Sequence, residues 1–251
     1  MLYIAIPASA AESSVLPDVF IPASMIYRTR GARLCRAQGQ QSARGGIMIL
    51  GAEELTGGAP LSLLISELIT EMRDRGYSGV LINPGRESNS LHRHLVAGLV
   101  AAARGKITVF VTEALAGASP DTVVLIQTAL SGGSLYRHLH KAVSKYGAPR
   151  CALEIDRISM SFPLPCRGGA GETLPADRLR ELVARRRVFF SDSLCVNYFS
   201  YIQDGQRHMA LYDDAKSIRE KLFVAKSLGI SGGFLFYPHV RAILSDLASA
   251  L

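Results

Sequence analysis

The sequence predicts an α/β protein, a (β/α)8 TIM-type barrel trimmed in its first third, with a β-hairpin insertion before the last helix. Three observations carry this. Short β-branched apolar runs alternate with amphipathic helical stretches, the pattern of repeated βα units and a parallel sheet. Eight such runs can be counted, which suits a closed barrel better than an open sheet. Asp204-Gly205 separates two further alternating runs, a strong hairpin signal.

The first run, residues 2–6, has no cationic stretch before it and is interrupted by Pro7, so it reads as a strand and not as a signal peptide. The second and third strands are expected over 19–27 and 47–50. The connections at 7–18 and 28–46 are short and rich in Pro, Gly, Arg and Gln, so full outer helices are not expected there. Leu61, Leu64, Ile65, Leu68, Ile69 and Met72 then recur at helical spacing, followed by the fourth strand at 79–83. Leu95, Leu99 and Val100 mark the next helix, before strands at 107–112 and 122–128. Leu135, Leu139 and Val143 mark another, and the seventh strand is expected over 151–160. A helix over 175–187 precedes the hairpin runs at 195–201 and 206–212. The last long helix, 214–228, ends at Gly229, placed for a left-handed cap, and the eighth strand is 233–237.

With 251 residues, 48% hydrophobic and 20% charged, the whole of 1–251 is expected to form one barrel domain. No apolar run approaches the roughly 20 residues of a membrane span. Cys35, Cys151, Cys166 and Cys195 are scattered, without a C-x-x-C pair or clustered His, which indicates thiols and neither zinc nor a disulfide scaffold. The net charge of +7 includes Arg28, Arg30, Arg33 and Arg36 in one segment and Arg185-Arg186-Arg187 in another. These are not interleaved with aromatics and match no nucleic-acid module, so no nucleic-acid partner is expected. His92 and His94, like His138 and His140, sit two apart on helices and point away from each other, so neither pair chelates a metal. Ser131-Gly132-Gly133-Ser134 and Gly168-Gly169-Ala170-Gly171 lack the lysine of a phosphate loop and read as plain loops. No cofactor is implied, and a cytoplasmic or spore-associated location is expected.

The closing segment carries a resemblance. Tyr198-Phe199-Ser200-Tyr201, Asp204-Gly205, His208, Tyr212-Asp213-Asp214-Ala215, Ser217, Lys221, Gly229, Gly232-Gly233 and Phe236 give an aromatic strand, a D-G turn, a Y/F-x-D-A-x-S-x-x-x-K helix and a G-x-x-G strand. This resembles the end of the glycoside hydrolase family 18 barrels, especially the spore-cortex and cell-wall branch. The family carries D-G-x-D-x-D-x-E on the fourth strand, its final Glu protonating the leaving glycosidic oxygen. The matching stretch here is Ser78-Gly79-Val80-Leu81-Ile82-Asn83-Pro84-Gly85, with glycine at the proton donor's place. The sixth-strand M-x-Y-D, which steadies the substrate acetamido group, aligns with Ile126-Gln127-Thr128-Ala129. The resemblance therefore implies a degenerate member, with no carboxylate expected within reach of Gly85.

Other carboxylates were weighed as replacements. Glu113 follows the fifth strand; Glu154 and Asp156 share one face of the seventh by the strand's period of two. The favoured reading of that pair is a structural contact with Arg157 or Arg150. Glu53-Glu54 follows the third strand, a location where barrel active sites recruit residues; the favoured reading is that the pair, near the next helix's N-terminus, favours its dipole. The expected ligand-binding residues are Asn83, Thr128, Tyr198, Tyr201, Phe236 and Tyr237, although no Trp is present to stack on sugar rings. The function expected is thus a catalytically inactive chitinase-like barrel that binds an N-acetylglucosamine-type or cell-wall glycan or acts as a scaffold. The alternatives are a glycosidase with relocated carboxylates (Glu113, Glu154, Asp156) and a structural spore or envelope protein with a filled cleft.

Overall fold

The structure, a computed structural model, describes residues 1–7, 16–37, 45–57, 60–165 and 171–249. In chain order it forms β1 (Leu2–Pro7), β2 (Phe20–Arg30), β3 (Arg33–Arg36), β4 (Ile47–Gly51), α1 (Leu61–Arg75), β5 (Gly79–Asn83), α2 (Ser90–Ala103), β6 (Thr108–Thr112) and β7 (Val123–Gln127). Then come α3 (Leu135–Tyr146), β8 (Cys151–Ile155), β9 (Ser159–Pro163), β10 (Glu172–Thr173), α4 (Ala176–Ala184), β11 (Phe189–Ser191), β12 (Val196–Gln203) and β13 (Gln206–Tyr212). The chain ends with α5 (Ala215–Ser227), β14 (Gly233–Phe236), α6 (Tyr237–Val240) and α7 (Leu244–Ala248).

Eight parallel strands close the barrel in the order β1, β2, β4, β5, β6, β7, β8, β14, with β1 pairing both β2 and β14. Strand alternation divides the side chains into two cores. Inside, Tyr3, Ile49, Leu81, Phe110, Leu125 and Phe234 fill the lumen. Tyr3 stacks on Phe234 at 4.7 Å between ring centres, and Phe110 meets Phe234 edge-on at 5.1 Å. Outside, Ile4, Met48, Val80, Val111, Ile126 and Leu235 pack against the helical stripes of Leu64, Leu68, Leu95, Leu99, Leu139 and Ile218.

The trimmed first third is as expected where it is described. Residues 28–36 are strand and turn, with β3 folding back antiparallel on β2; residues 8–15 and 38–44 of those connections lie outside the described residues, as does Cys166.

Two expectations need correction. The run at 151–160 is two strands: β8 stays in the barrel, while β9 leaves it. The hairpin is also not alone. Its strands β12 and β13 lie within a five-stranded sheet ordered β10-β9-β13-β12-β11, covered on one face by α4 through Leu179 and Leu182. Asp204 and Gly205 turn the hairpin at φ 50° and 74°, the left-handed values its two-residue turn requires.

This inserted unit is tied to the barrel at a buried, charged point. The Asp213 carboxylate accepts hydrogen bonds from Lys221 Nζ at 2.7 Å, Ser217 Oγ at 2.8 Å and the Ile158 backbone N–H at 2.9 Å. The Asp213 backbone N–H donates to the Ile158 carbonyl at 2.9 Å, and its own carbonyl accepts from Arg157 Nε at 2.8 Å. Asp213 and Lys221 are fully buried. Removing one partner strands a charge in the core, so Asp213→Ala is expected to lower unfolding stability by about 3–5 kcal/mol. Chemical denaturation followed by circular dichroism checks this.

Candidate functional site

At the carboxyl ends of the strands, the period-two rule continues the lumen-facing set of Ile49, Leu81, Phe110, Leu125, Ala152 and Phe234 upward. It places Gly51, Asn83, Thr112, Gln127, Glu154 and Phe236 around the barrel mouth.

On the β4–β5 side, Asn83 Oδ1 accepts from the Gly85 backbone N–H at 3.0 Å. Gly85 has φ +76°, and a Cβ there would stand 2.6 Å from Glu53 Cγ and 3.6 Å from the Glu53 carboxyl carbon. Glu53 thus fills the space over Gly85, which corrects the expectation that no carboxylate lies near that position. The helix-dipole account of Glu53-Glu54 also fails, because α1 starts at Leu61 and has no acidic residue in its first turn. A cavity of about 380 Å3 opens here, with Met25, Arg28, Glu53, Glu54 and Asn83 among its walls.

Across the mouth, Glu154 on β8 is largely buried. Desolvation pushes its carboxyl above the ordinary carboxylate range, and the charges of Asp156 and Glu113 push the same way. Asp156 accepts a long 3.5 Å hydrogen bond from Gln127 Nε2, and its other oxygen lies 3.8 Å from His239 Nδ1. His239 stands edge-on to Phe236 at 4.8 Å. The expected arginine pairing does not form. Arg157 donates to the carbonyls of Asp213 and His239, and Arg150 to those of Thr122 and Ser119.

Several expected ligand residues are committed elsewhere. Thr128 is buried and donates its hydroxyl to the Glu154 carbonyl at 3.1 Å, so the mouth-facing residue of β7 is its neighbour Gln127. Tyr201 is 3% exposed, bonded to Ser161 Oγ at 2.7 Å and stacked on His208, inside the inserted sheet's own core. Tyr237 is 5% exposed and belongs to the core between barrel and helices. Tyr198 stacks on Phe189 beside the edge strand β11. Glu113 follows β6 at the start of a short 3-10 turn, and its charge acts on Lys145, the Cys151 thiol and Glu154. Asn83, Phe236, Glu154 and Asp156 remain at the mouth. Sequence reasoning named Glu53 at the end of the third strand but favoured a helix-dipole role for it, and it missed Gln127 and His239; the strand parity of Gln127 was the signal available there.

A second, larger cavity of about 1100 Å3 runs between the inserted unit and the segment after β14, with Met160, Phe162, Leu179, Pro238 and Ile243 among its walls. It does not include Glu154 or Asp156.

Because the folded protein binds the Glu154 proton more tightly than the unfolded chain does, the buried carboxylate opposes folding above its folded pKa. That opposition fades as pH falls through the window and is absent below the ordinary carboxylate value. Glu154→Gln is therefore expected to raise the melting temperature at neutral pH, with the gain closing as pH falls below the ordinary carboxylate range. Thermal melts across that range check it.

No family model and no curated protein match this chain. Solved structures do. The Bacillus cereus spore cortex-lytic enzyme SleL matches with a TM-score of 0.63 and 13% identity, over 98% of this chain and 74% of that one. A family 18 chitinase from Cycas revoluta in complex with (GlcNAc)3 matches with a TM-score of 0.64 and 13% identity, over 100% and 99%. The chitinase-like agglutinin of Robinia pseudoacacia matches with a TM-score of 0.63 and 12% identity, over 99% and 98%. The fold of this chain is therefore the closed (β/α)8 barrel of the family 18 chitinases and chitinase-like proteins.

Proposed function

We propose that this barrel binds a glycan at the ends of its strands without hydrolysing it. The observation that carries the reading is Gly85. It offers no side chain at the end of β5, and its φ of +76° disfavours any other residue there. Glu53, which fills the space, is exposed to water and comes from the turn after β4, outside the motif that the resemblance attaches to proton donation. Losing a positioned general acid costs roughly 10²- to 10⁴-fold in rate. Binding needs less: Asn83, Gln127, Glu154, Asp156 and Phe236 supply donors, acceptors and an apolar face. The open cavity beside Asn83 favours a binding protein over a scaffold with a filled cleft. A chitinase-like protein that is named an agglutinin, with the same fold, is consistent with that.

A second reading, hydrolysis by relocated carboxylates, is favoured by one observation: the raised Glu154 carboxyl beside Asp156, an arrangement able to hold a proton for transfer. Glu113, whose charge also raises the Glu154 carboxyl, stays the third carboxylate of that reading. The two readings separate in an assay with fluorogenic chitobiose and chitotriose from acid to neutral pH. No turnover above blank is expected, together with measurable binding of chitotriose by calorimetry. Turnover that vanishes in Glu154→Gln establishes the hydrolase instead.

A further inference from the structure

We propose that the cavity at the ends of β2, β4 and β5 is a subsite for a de-N-acetylated hexosamine ring, whose ammonium group is held by Glu53 and Glu54. The inference rests on the glycan-binding reading and adds the chemical class of the ligand. At about 380 Å3 the cavity lies at the small end of ligand sites, which suits a single sugar ring.

Its walls decide the charge. Glu53 and Glu54, when ionised, only accept hydrogen bonds, and neither forms an ion pair among the described residues. Among the described residues, Arg28 is the single cation that lines the space with them. Two carboxylates against one guanidinium leave the cavity negative within a protein whose net charge is +7. Asn83, also on the wall, has its Oδ1 held by the Gly85 N–H, which fixes the orientation of its amide. Thr29, 1% exposed on the same wall, has a hydroxyl with no partner among the described residues.

An ammonium group meets these acceptors with charge-assisted hydrogen bonds. An acetamido group at the same carbon removes the charge and sets a carbonyl oxygen against the carboxylates. Gly85 makes the arrangement possible, since a side chain there would collide with Glu53 Cγ at 2.6 Å.

The test is calorimetric titration of the full chain, at mildly acidic pH and low salt, with chitotriose and with its fully de-N-acetylated counterpart. The de-N-acetylated trimer is expected to bind at least about fivefold more tightly, the scale of a partly exposed ion pair. That preference is expected to disappear in Glu53→Gln and to shrink with added salt, while the melting temperature stays within a degree or so of the parent, as for most surface substitutions. Equal or tighter binding of N-acetylated chitotriose overturns the subsite while leaving the glycan reading intact. Binding of neither trimer overturns both. A preference that survives in both Glu53→Gln and Glu54→Gln overturns the assignment to these carboxylates.

Discussion

The buried Asp213–Lys221 pair is the constraint on which the rest of the upper barrel depends. A carboxylate and an ammonium with no exposure to water are stable only when their hydrogen-bonding capacity is met, and here it is met by groups from three places in the chain. Ile158 directly precedes β9, where the chain has left the barrel, Asp213 directly follows the returning strand β13, and Ser217 and Lys221 belong to α5. One side chain thus holds together the exit, the return and the helix that resumes the barrel. The excursion between them is some fifty residues of sheet and helix, yet its two ends are locked side by side.

That lock reaches the mouth through strand parity. Ile158 is bonded to Asp213 and Arg157 reaches to the carbonyls of Asp213 and His239, so the segment that follows Glu154 and Asp156 is held on both sides. The same arginine links β8 to the segment after β14, where His239 faces Asp156.

This explains what the sequence made legible. Local signals worked: the eight strand runs, the Asp204-Gly205 turn and the capped helix ending at Gly229 are encoded by neighbours in the chain. The motif Tyr212 to Lys221 was also recognisable, but its Asp213, Ser217 and Lys221 turn out to be anchoring residues, so the strongest resemblance reported the scaffold and not the chemistry. Long-range facts were hidden. Nothing local shows that 151–160 must break at Asp156-Arg157-Ile158, because the partner that bends it lies more than fifty residues away. Tyr201 looked available because α4, which covers it, is named by no pattern in the hairpin. Thr128 was misplaced by one residue, and a one-residue slip in a strand reverses its face. Glu53 meets Gly85 only because β4 and β5 are neighbours in the barrel.

The separation of anchor from mouth has a consequence for reading function from such folds. The lumen core of Tyr3, Phe110 and Phe234 and the Asp213 anchor include neither Asn83, Gly85 nor Glu53 among their partners. Residues at the β5 end can therefore change without disturbing what holds the barrel closed, and a carboxylate can be lost from one strand and another brought in from the next turn at little cost in stability. Fold likeness at 12–13% identity then constrains the scaffold and leaves the chemistry open. In this chain the decision falls to a few mouth groups whose donors, acceptors and charges differ on the two sides: Glu53, Glu54 and Asn83 around a small open cavity, and a half-buried Glu154, its carboxyl raised by desolvation and by the charge of Asp156. The first side is exposed to water and carries two carboxylates beside Arg28, and the second is partly desolvated, so the two sides of the mouth differ in how readily they hold a negative charge.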